Sequence, residues 1–511
     1  MDILTNILAG FGGVFSDPMI LVGIAGGVFG GMIVGALPGL TATMAMALFL
    51  PFTFLMEPSL GIATMMGIFA GGIAGGSIPA ILLNVPGTPA SAATALDGYP
   101  MTRNGRASQS LTMAMIASCI GGTISGLLMV FLAPVIAKLA LNFQAPEFFV
   151  LAIYGLTIIS AVSGKSLLKG YAAGLIGLVI GIIGLDPISG QLRLTYGSNE
   201  LYGGISLIPV LIGVFGLSQV LVMLKESTSL KEHVSIGKFQ LPEKQDIKDS
   251  MPSILRGGLV GSAIGAIPGT GTDIGAFLSY SLAKQSGRGR IPFGKGNPVG
   301  VAASESANNG VVGGAMIPMF TLGIPGEAAT AVLLGGLLIQ GLTPGPQLFQ
   351  GPNAHLVYTV FASFLIANIV MLLIGLVAAR LFVNVVRIPN SYLIPLITIL
   401  CLVGAYSINN RLFDVFVAIF FGCFGYLMVT HGYSPSPLIL GMILGPMAET
   451  NFRRAMTIEN GNWTVFFTRP ASLIFWALIA ASLFYLWRNQ KKAQSVETLE
   501  TQLTKKEVEN V

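Results

Sequence analysis

The chain has 511 residues, of which 53% are hydrophobic and only 10% are charged, with 66 glycines and a formal net charge of +5. Soluble domains carry about 25% charged residues, so this composition excludes an ordinary soluble protein and indicates a polytopic membrane protein. We attribute the positive charge to short loops and the tail, as positive-inside topology requires, and not to nucleic-acid binding.

The N-terminal stretch lacks the basic region of a secretory signal, so we expect the first hydrophobic segment to be retained. The first predicted membrane element is residues 19–37, a glycine-rich segment that stops in the sequence GALPGLT at 35–41. A second apolar segment follows at 43–56. The two segments are compatible with either two short spans or a re-entrant hairpin.

A second interruption lies in residues 76–100, which read GSIPAILLNVPGTPASAATALDGYP. Pro86 removes a backbone donor and Gly87 relaxes the backbone, so a helix should unwind after about Leu83. We expect a new helix with Thr88 as N-cap and Pro89 at its first position. Irregular backbone at membrane depth is tolerated only where protein covers it or it lines a watery cavity. Because the N-terminus of a half-helix attracts anions, this break is a candidate binding site.

After four further predicted spans, the Pro-Gly motifs of the first half occur again. These spans occupy residues 111–132, 148–162, 167–183 and 205–224. The sequence GAIPGT at 265–270 then repeats GALPGL at 35–40, an offset of 268 − 38 = 230. Pro325-Gly326 repeats Pro86-Gly87, an offset of 325 − 86 = 239. Matched interruptions in two halves indicate a transporter site at the membrane midplane.

The duplication leads to a prediction of the domain organisation. We expect membrane repeat 1 at 1–224, a polar linker at 225–250, membrane repeat 2 at 251–487 and a charged cytoplasmic tail at 488–511. The predicted fold is all-α, with two tandem homologous halves, discontinuous helices, re-entrant hairpins and roughly 10–14 membrane segments. We favour inverted topology for the two halves.

Four motifs resemble a known family. They are ILLNVPGTPASAATALDGYP at 81–100, SESANN at 304–309, TLGIPG at 321–326 and SPLILG at 436–441. Together they are similar to the large membrane subunit of tripartite tricarboxylate transporters, the TctA family. The resemblance implies cation-driven uptake of citrate-like anions across the bacterial cytoplasmic (inner) membrane by a multi-pass protein. It also implies two partners, a small TctB-like membrane subunit and a periplasmic TctC-like solute-binding protein, and it leaves a homo-oligomer open.

Polar residues and glycines beside the breaks are the substrate-binding candidates. Each hydroxyl also has a structural alternative, because Ser and Thr in membrane helices often bond the carbonyl one turn back. The adjacent amides in SESANN need partners, for which a substrate carboxylate or a cation is favoured over helix packing. The predicted substrate residues are Thr41, Asn84, Gly87, Thr88, Ser91, Thr270, Thr272, Asn308, Asn309, Gly326 and Thr330.

Carboxylates at membrane depth are the cation-binding candidates. A charged residue there costs about 2.5–3.5 kcal/mol on insertion scales, so each one needs an explanation. Glu327 aligns with Thr88, since 327 − 88 = 239, and the helix dipole is its structural alternative. The predicted cation residues are Gly39, Thr43, Gly269, Asp273, Glu305 and Glu327.

The membrane potential indicates that a cation must accompany an anionic substrate. Each negative charge moved into the cell costs about 2.3 kcal/mol per 100 mV, which co-transported cations remove. Oxygen-rich tips favour Na⁺, with H⁺ as the alternative, and we expect no cofactor and no other metal.

Two other classes of function, an intramembrane hydrolase and a channel, remain open, and so does a carrier that works without a binding protein. An intramembrane hydrolase would need a His-Glu-x-x-His, Gly-x-Ser-x-Gly or Cys/His pattern, none of which the sequence contains. A channel would use a ring of carbonyls or charges around an open pore. A stand-alone organic-anion carrier would need no binding protein.

Overall fold

The structure is a computed structural model that describes residues 3–162, 166–225, 240–350 and 354–484. The predicted linker falls mostly outside the described residues, and the predicted tail falls wholly outside them. Within the described ranges the secondary structure is helical apart from one two-residue antiparallel strand pair, β1 (Gly184–Leu185) with β2 (Leu192–Arg193).

The helices fall into two series along the chain. The first series is α1 (Ile3–Ser16), α2 (Pro18–Ala36), α3 (Ala42–Phe54), α4 (Pro58–Gly75), α5 (Ser77–Leu83), α6 (Ser91–Arg103), α7 (Ala107–Ala140), α8 (Ala145–Val162), α9 (Leu167–Gly181), a 3₁₀ turn (Asn199–Leu201), α10 (Leu207–Leu211), a π-helix (Ile212–Leu217) and α11 (Ser218–Lys225). The second is α12 (Lys244–Gly265), α13 (Gly271–Ser286), α14 (Pro298–Leu322), α15 (Ala328–Ile339), a 3₁₀ turn (Pro346–Phe349), α16 (Ala354–Val377), α17 (Ala379–Val386), α18 (Asn390–Asn409), α19 (Leu412–Thr430), α20 (Ser436–Ile458), α21 (Val465–Thr468) and α22 (Pro470–Phe484).

Seven helical segments of the described chain are long and apolar enough to cross a bilayer. They are α2, α4 with α5, α7, α10 through α11, α16, α18 and α19. Five shorter apolar helices accompany them, namely α3, α8, α9, α15 and α22. Large apolar side chains such as Leu168 and Phe416 are exposed, as contact with lipid requires. The prediction of an all-α polytopic membrane protein is confirmed.

The repeated sequence produces a repeated packing arrangement. A β-carbon on Gly31 of α2 would overlap the Ile68 carbonyl oxygen of α4, so the two backbones touch directly. In the second half a β-carbon on Gly261 of α12 would overlap the Ala307 carbonyl oxygen of α14. The offsets are 261 − 31 = 230 and 307 − 68 = 239, the same two values as in the sequence motifs. Such close helix approach through small residues is the usual means of association in lipid.

Four interruptions separate the paired helices, and we call them tips 1 to 4. Tip 1 is residues 37–41, tip 2 is 84–90, tip 3 is 266–270 and tip 4 is 323–327. Gly39 and Gly269 occupy equivalent places in tips 1 and 3, and both have a φ of +83°, which is accessible to glycine at little cost. Tips 1 and 3 therefore turn through the same left-handed glycine conformation.

Tip 2 confirms one local prediction and corrects another. Helix α5 ends at Leu83 as expected, and Asn84 caps it in the left-handed conformation with a φ of +58°. The prediction that Thr88 is the N-cap is wrong, because α6 begins at Ser91. The Gly87 N–H donates to the Gly76 carbonyl at 3.2 Å, so the chain folds back along α5 before the new helix starts.

Because of this fold-back, α6 runs in the same direction as α4 and α5. Its start lies beside the start of α5, with Ser91 against Gly76. Further along, Thr102 donates to the Ile81 carbonyl at 2.7 Å. After the interruption, α6 therefore lies beside α5 and runs parallel to it.

Helix α6 runs antiparallel to α14 of the second half. Thr94 contacts Glu305, whereas Asp97 further along α6 accepts hydrogen bonds from the N–H groups of Gly296 and Asn297, just before α14. Since α4, α5 and α6 share one direction, α4 and its equivalent α14 run in opposite directions. The two halves are thus inverted relative to each other.

Each half also packs a helix onto the other. Helix α7 of the first half lies against α14 of the second, where a β-carbon on Gly121 would overlap the Ser306 carbonyl oxygen. Reciprocally, α16 of the second half packs against α4 of the first. The halves therefore share one interior.

The helix contact at Gly31 gives a stability prediction. We expect Gly31→Ala to lower the melting temperature of the detergent-solubilised protein, because the new methyl group would force the α2 and α4 backbones apart; overpacking typically costs about 1–3 kcal/mol. Gly26 on the same helix has no neighbouring atom within 4 Å of an added β-carbon, so Gly26→Ala is the matched control and should melt at or above the wild type. Equal melting of the two variants would contradict the close contact.

Candidate functional site

All four tips meet at one cavity of about 800 Å³. Tips 1 and 2 contribute Thr41, Thr88 and Pro89, while tips 3 and 4 contribute residues from Gly269 onward and Glu327. The wall is completed by the π-helix with the start of α11, by the start of α20, and by Ile73 of α4 and Val429 of α19. The volume falls within the range of roughly 300–1,000 Å³ typical of small-molecule sites.

Five helices begin at this cavity. They are α3, α6, α13, α15 and α20, whose first turns or preceding residues all contribute to the lining. A helix N-terminus carries unpaired N–H groups and a positive partial charge of roughly half an elementary charge. At α3 the Thr41 hydroxyl accepts one of these N–H groups, that of Met44, at 3.2 Å. The convergence creates a positive potential without a basic side chain.

The charged side chains that line the cavity are both acidic. Asp273 lies in the first turn of α13 and Glu327 is the N-cap of α15, and the described lining contains no Lys, Arg or His. Oε1 of Glu327 is buried without a hydrogen-bond partner. The Glu327 N–H donates to the Thr330 hydroxyl at 2.9 Å, which fixes the backbone at the tip. An unpartnered carboxylate oxygen beside a cavity is a suitable ligand for a cation.

The sequence did not single out the uncharged polar groups opposite the tips. Ser218 and Gln219 follow the π-helix, and Ser434 and Ser436 surround the start of α20. Proline next to Ser434 and Ser436 was a usable signal, since it marks a helix start, whereas no local pattern distinguishes Gln219. Short π-helices occur frequently at functional sites.

Eight of the seventeen predicted site residues line the cavity. They are Thr41, Thr43, Thr88, Gly269, Thr270, Thr272, Asp273 and Glu327.

Five more of the predicted residues support the tips from behind. Gly87 packs against the Gly35 carbonyl oxygen, the Gly326 carbonyl accepts the Gly269 N–H at 2.6 Å, and Gly39 faces Gln219. The Ser91 hydroxyl bonds that of Thr88 at 2.8 Å, and Thr330 bonds the backbone of Glu327.

The remaining four predicted residues lie away from the cavity lining. Asn84 is exposed at the end of α5, where its left-handed conformation ends the helix. Glu305, Asn308 and Asn309 are buried together within α14.

Comparisons with known proteins identify the family to which the chain belongs. The model of the tripartite tricarboxylate transporter TctA family matches residues 21–440. An uncharacterised 52.8 kDa protein from the TAR-I ttuC' 3' region of Agrobacterium vitis is 38% identical over 483 residues, which cover 94% of each chain. A second uncharacterised protein, from the TAR-II ttuC' 3' region of the same organism, is 40% identical over 238 residues, or 46% of this chain and 98% of that protein. No solved structure matches. The chain therefore belongs to the tripartite tricarboxylate transporter TctA family, a family of transporters and not of enzymes.

Proposed function

We propose that this chain is the large transmembrane subunit of a binding-protein-dependent secondary transporter that imports citrate-like di- and tricarboxylates together with Na⁺. The observation that carries the proposal is the cavity itself. Among the described residues, five helix N-termini and two carboxylates surround it and no basic side chain lines it.

The helix N-termini suit a carboxylate anion. Their N–H groups donate directional hydrogen bonds to carboxylate oxygens, as in other transporters with discontinuous helices. Because the N-termini come from several directions, they can address two or three carboxylate groups of one substrate at once. A single carboxylate would leave most of these donors unused.

The two acidic side chains require a cation. Asp273 and Glu327 would repel an anionic substrate if both remained charged and uncompensated. A Na⁺ ion held by their carboxylate oxygens and by tip hydroxyls such as that of Thr272 removes the repulsion and adds an attraction. The same ion offsets the membrane potential that opposes anion entry. Substrate binding and cation binding are then mutually dependent.

The partners and the membrane follow from the family. We propose a TctB-like small membrane subunit and a periplasmic TctC-like solute-binding protein that delivers substrate to the cavity, all at the bacterial inner membrane. The predicted boundaries of the two repeats, the linker and the cytoplasmic tail belong to the same proposal.

Ligand stabilisation tests the substrate class. We expect di- and tricarboxylates to raise the melting temperature of the purified protein in Na⁺ buffer and to have little effect in choline buffer, because the anion needs the cation. A monocarboxylate such as acetate is the control and should leave the melting temperature unchanged. Stabilisation by all anions in either buffer would contradict the proposal.

Replacing Glu327 tests the cation role. Glu327→Gln should raise the Na⁺ concentration for half-maximal uptake in proteoliposomes by more than tenfold, with a smaller change in substrate dependence at saturating Na⁺. A tenfold change corresponds to about 1.4 kcal/mol, less than a hydrogen bond to a charged group can contribute. Glu243→Gln is the control, since Glu243 lies in an exposed pair with Arg290 at 3.5 Å. An unchanged Na⁺ dependence would indicate that Glu327 only complements the helix dipole.

Reconstitution tests the need for a binding protein. Proteoliposomes with both membrane subunits should take up substrate efficiently only when the liganded binding protein is added outside. Trimming the residues after Lys492 should change little, because we place the tail in the cytoplasm. Full-rate uptake of free substrate by this subunit alone would establish a stand-alone carrier, and uptake that never saturates would indicate a channel.

A further inference from the structure

A second group of polar side chains is buried where α6, α7, α14 and α16 meet, apart from the cavity. Its central residues are Glu305, Asn308 and Asn309 on α14 and Asn368 on α16, each at most 1% exposed. None of the four lines the cavity. The substrate-binding role expected for the two α14 amides therefore has to be reconsidered.

The hydrogen bonds that Glu305 accepts from other helices come from hydroxyl groups. The Thr94 hydroxyl of α6 donates to Oε1 at 2.5 Å and the Ser118 hydroxyl of α7 donates to Oε2 at 3.0 Å. No ion pair of the described chain includes Glu305. A charge inside a membrane protein is very unfavourable unless it is compensated, so this position needs a positive ion.

Three amide oxygens beside this carboxylate lack hydrogen-bond partners. They are the Oδ1 atoms of Asn308, Asn309 and Asn368, and Nδ2 of Asn308 also lacks a partner. The amide nitrogens of Asn309 and Asn368 donate to helix carbonyls one turn back, at 3.3 and 2.8 Å, which leaves their oxygens as the free groups. Buried polar atoms without protein partners are rare in native proteins, and a bound ion is one of their established causes.

The neighbouring helix provides room for these oxygens. Oδ1 of Asn368 occupies the space that a β-carbon on Gly122 of α7 would fill. Gly122 lies one turn after Ser118, the partner of Glu305, so the amide oxygen and the carboxylate face the same stretch of α7. The side chain of Asn308 lies beside Glu305 without forming a hydrogen bond of normal geometry.

We propose that Glu305, Asn308 and Asn368, together with the Thr94 and Ser118 hydroxyls, form a buried site for one Na⁺ ion. All of these ligands are hard oxygen donors, which suit alkali and alkaline-earth ions and not the softer transition metals. One carboxylate balances one positive charge, so the site is matched to a monovalent ion.

This site extends the proposed coupling to a position outside the cavity. Thr94 lies one turn after Ser91, which bonds Thr88 at the cavity wall. An ion at Glu305 would fix the first turn of α6 against α14, and with it the orientation of tip 2. The inference rests on cation-coupled transport but concerns residues other than Asp273 and Glu327.

Equilibrium binding of ²²Na⁺ to the purified protein without substrate tests the site. We expect Glu305→Gln to lose one saturable Na⁺ per chain, whereas Glu327→Gln should retain that ion. Equal stoichiometry in the wild type and Glu305→Gln would overturn the site. A loss confined to Glu327→Gln would overturn it as well, and would leave the proposed function in place. A buried proton in place of Na⁺ would appear as no Glu305-dependent Na⁺ binding at any pH.

Thermal unfolding separates an ion site from a purely structural role. In choline buffer Glu305→Gln should melt at or above the wild type, because a neutral amide no longer needs a compensating ion. In Na⁺ buffer the wild type should gain more stability than Glu305→Gln, which keeps only the ion proposed at Asp273 and Glu327. A variant that melts lower in both buffers would show that Glu305 serves only as a hydrogen-bond acceptor.

A second variant keeps the test valid if Glu305→Gln does not fold. Asn368→Ala retains the carboxylate and should weaken Na⁺ binding at least about tenfold. The matched control is Asn451→Ala, because Asn451 makes the same bond to the carbonyl four residues back, at 2.8 Å, far from the site in sequence. Unchanged Na⁺ affinity in Asn368→Ala would remove this amide from the proposed ligands and overturn the site as described.

Discussion

The structure depends on the rule that backbone N–H and C=O groups inside a membrane must be paired or must face water. Each of the four tips interrupts a helix near a proline or glycine, and the backbone groups at a helix end have no partner inside the helix. The protein satisfies some of them locally, as in the bonds from Gly87 to Gly76 and from Gly269 to Gly326. All four tips lie at one shared cavity, where N–H groups at helix starts would serve as donors to the proposed anion.

The charges around the cavity determine what can bind there. In the described lining, positive character comes from helix N-termini, which are fixed and partial, whereas the charged side chains are acidic. In the proposed function, such a site would favour an anion together with its cation over an anion alone, which a ring of arginines would not do. The proposed site at Glu305 applies the same principle deeper in the protein, because a buried carboxylate with hydroxyl partners also requires a cation.

The two halves are inverted and each packs a helix against the other, so the cavity and the Glu305 region share helices. Helix α14 contacts α6 and α7 from the other half, carries Glu305, and leads directly to the tip that contains Glu327. Direct backbone contacts at Gly31 and Gly261 pack the paired helices of each half tightly together. A movement of one pair relative to the other would therefore change the cavity and the Glu305 region together.

The sequence alone determined the class, the family and the local breaks of this protein. Composition requires a membrane protein, and Pro-Gly pairs end helices wherever they occur, so the end of α5 at Leu83 could be read directly. The helix contacts at Gly31 and Gly261 recur at the same offsets of 230 and 239 that relate the sequence motifs. These features are local or periodic, and local chemistry is sufficient to specify them.

Only the tertiary structure decided which of these residues meet. Thr88 was misassigned as an N-cap because the bond from Gly87 back to Gly76, not propensity, sets where α6 begins. Gln219 and Ser436 join the cavity from helices distant in sequence, whereas Asn308 and Asn309 face other helices despite their suggestive motif. The physical reason is that a helical residue faces one side only, and which neighbour occupies that side is fixed by packing between helices far apart in the chain.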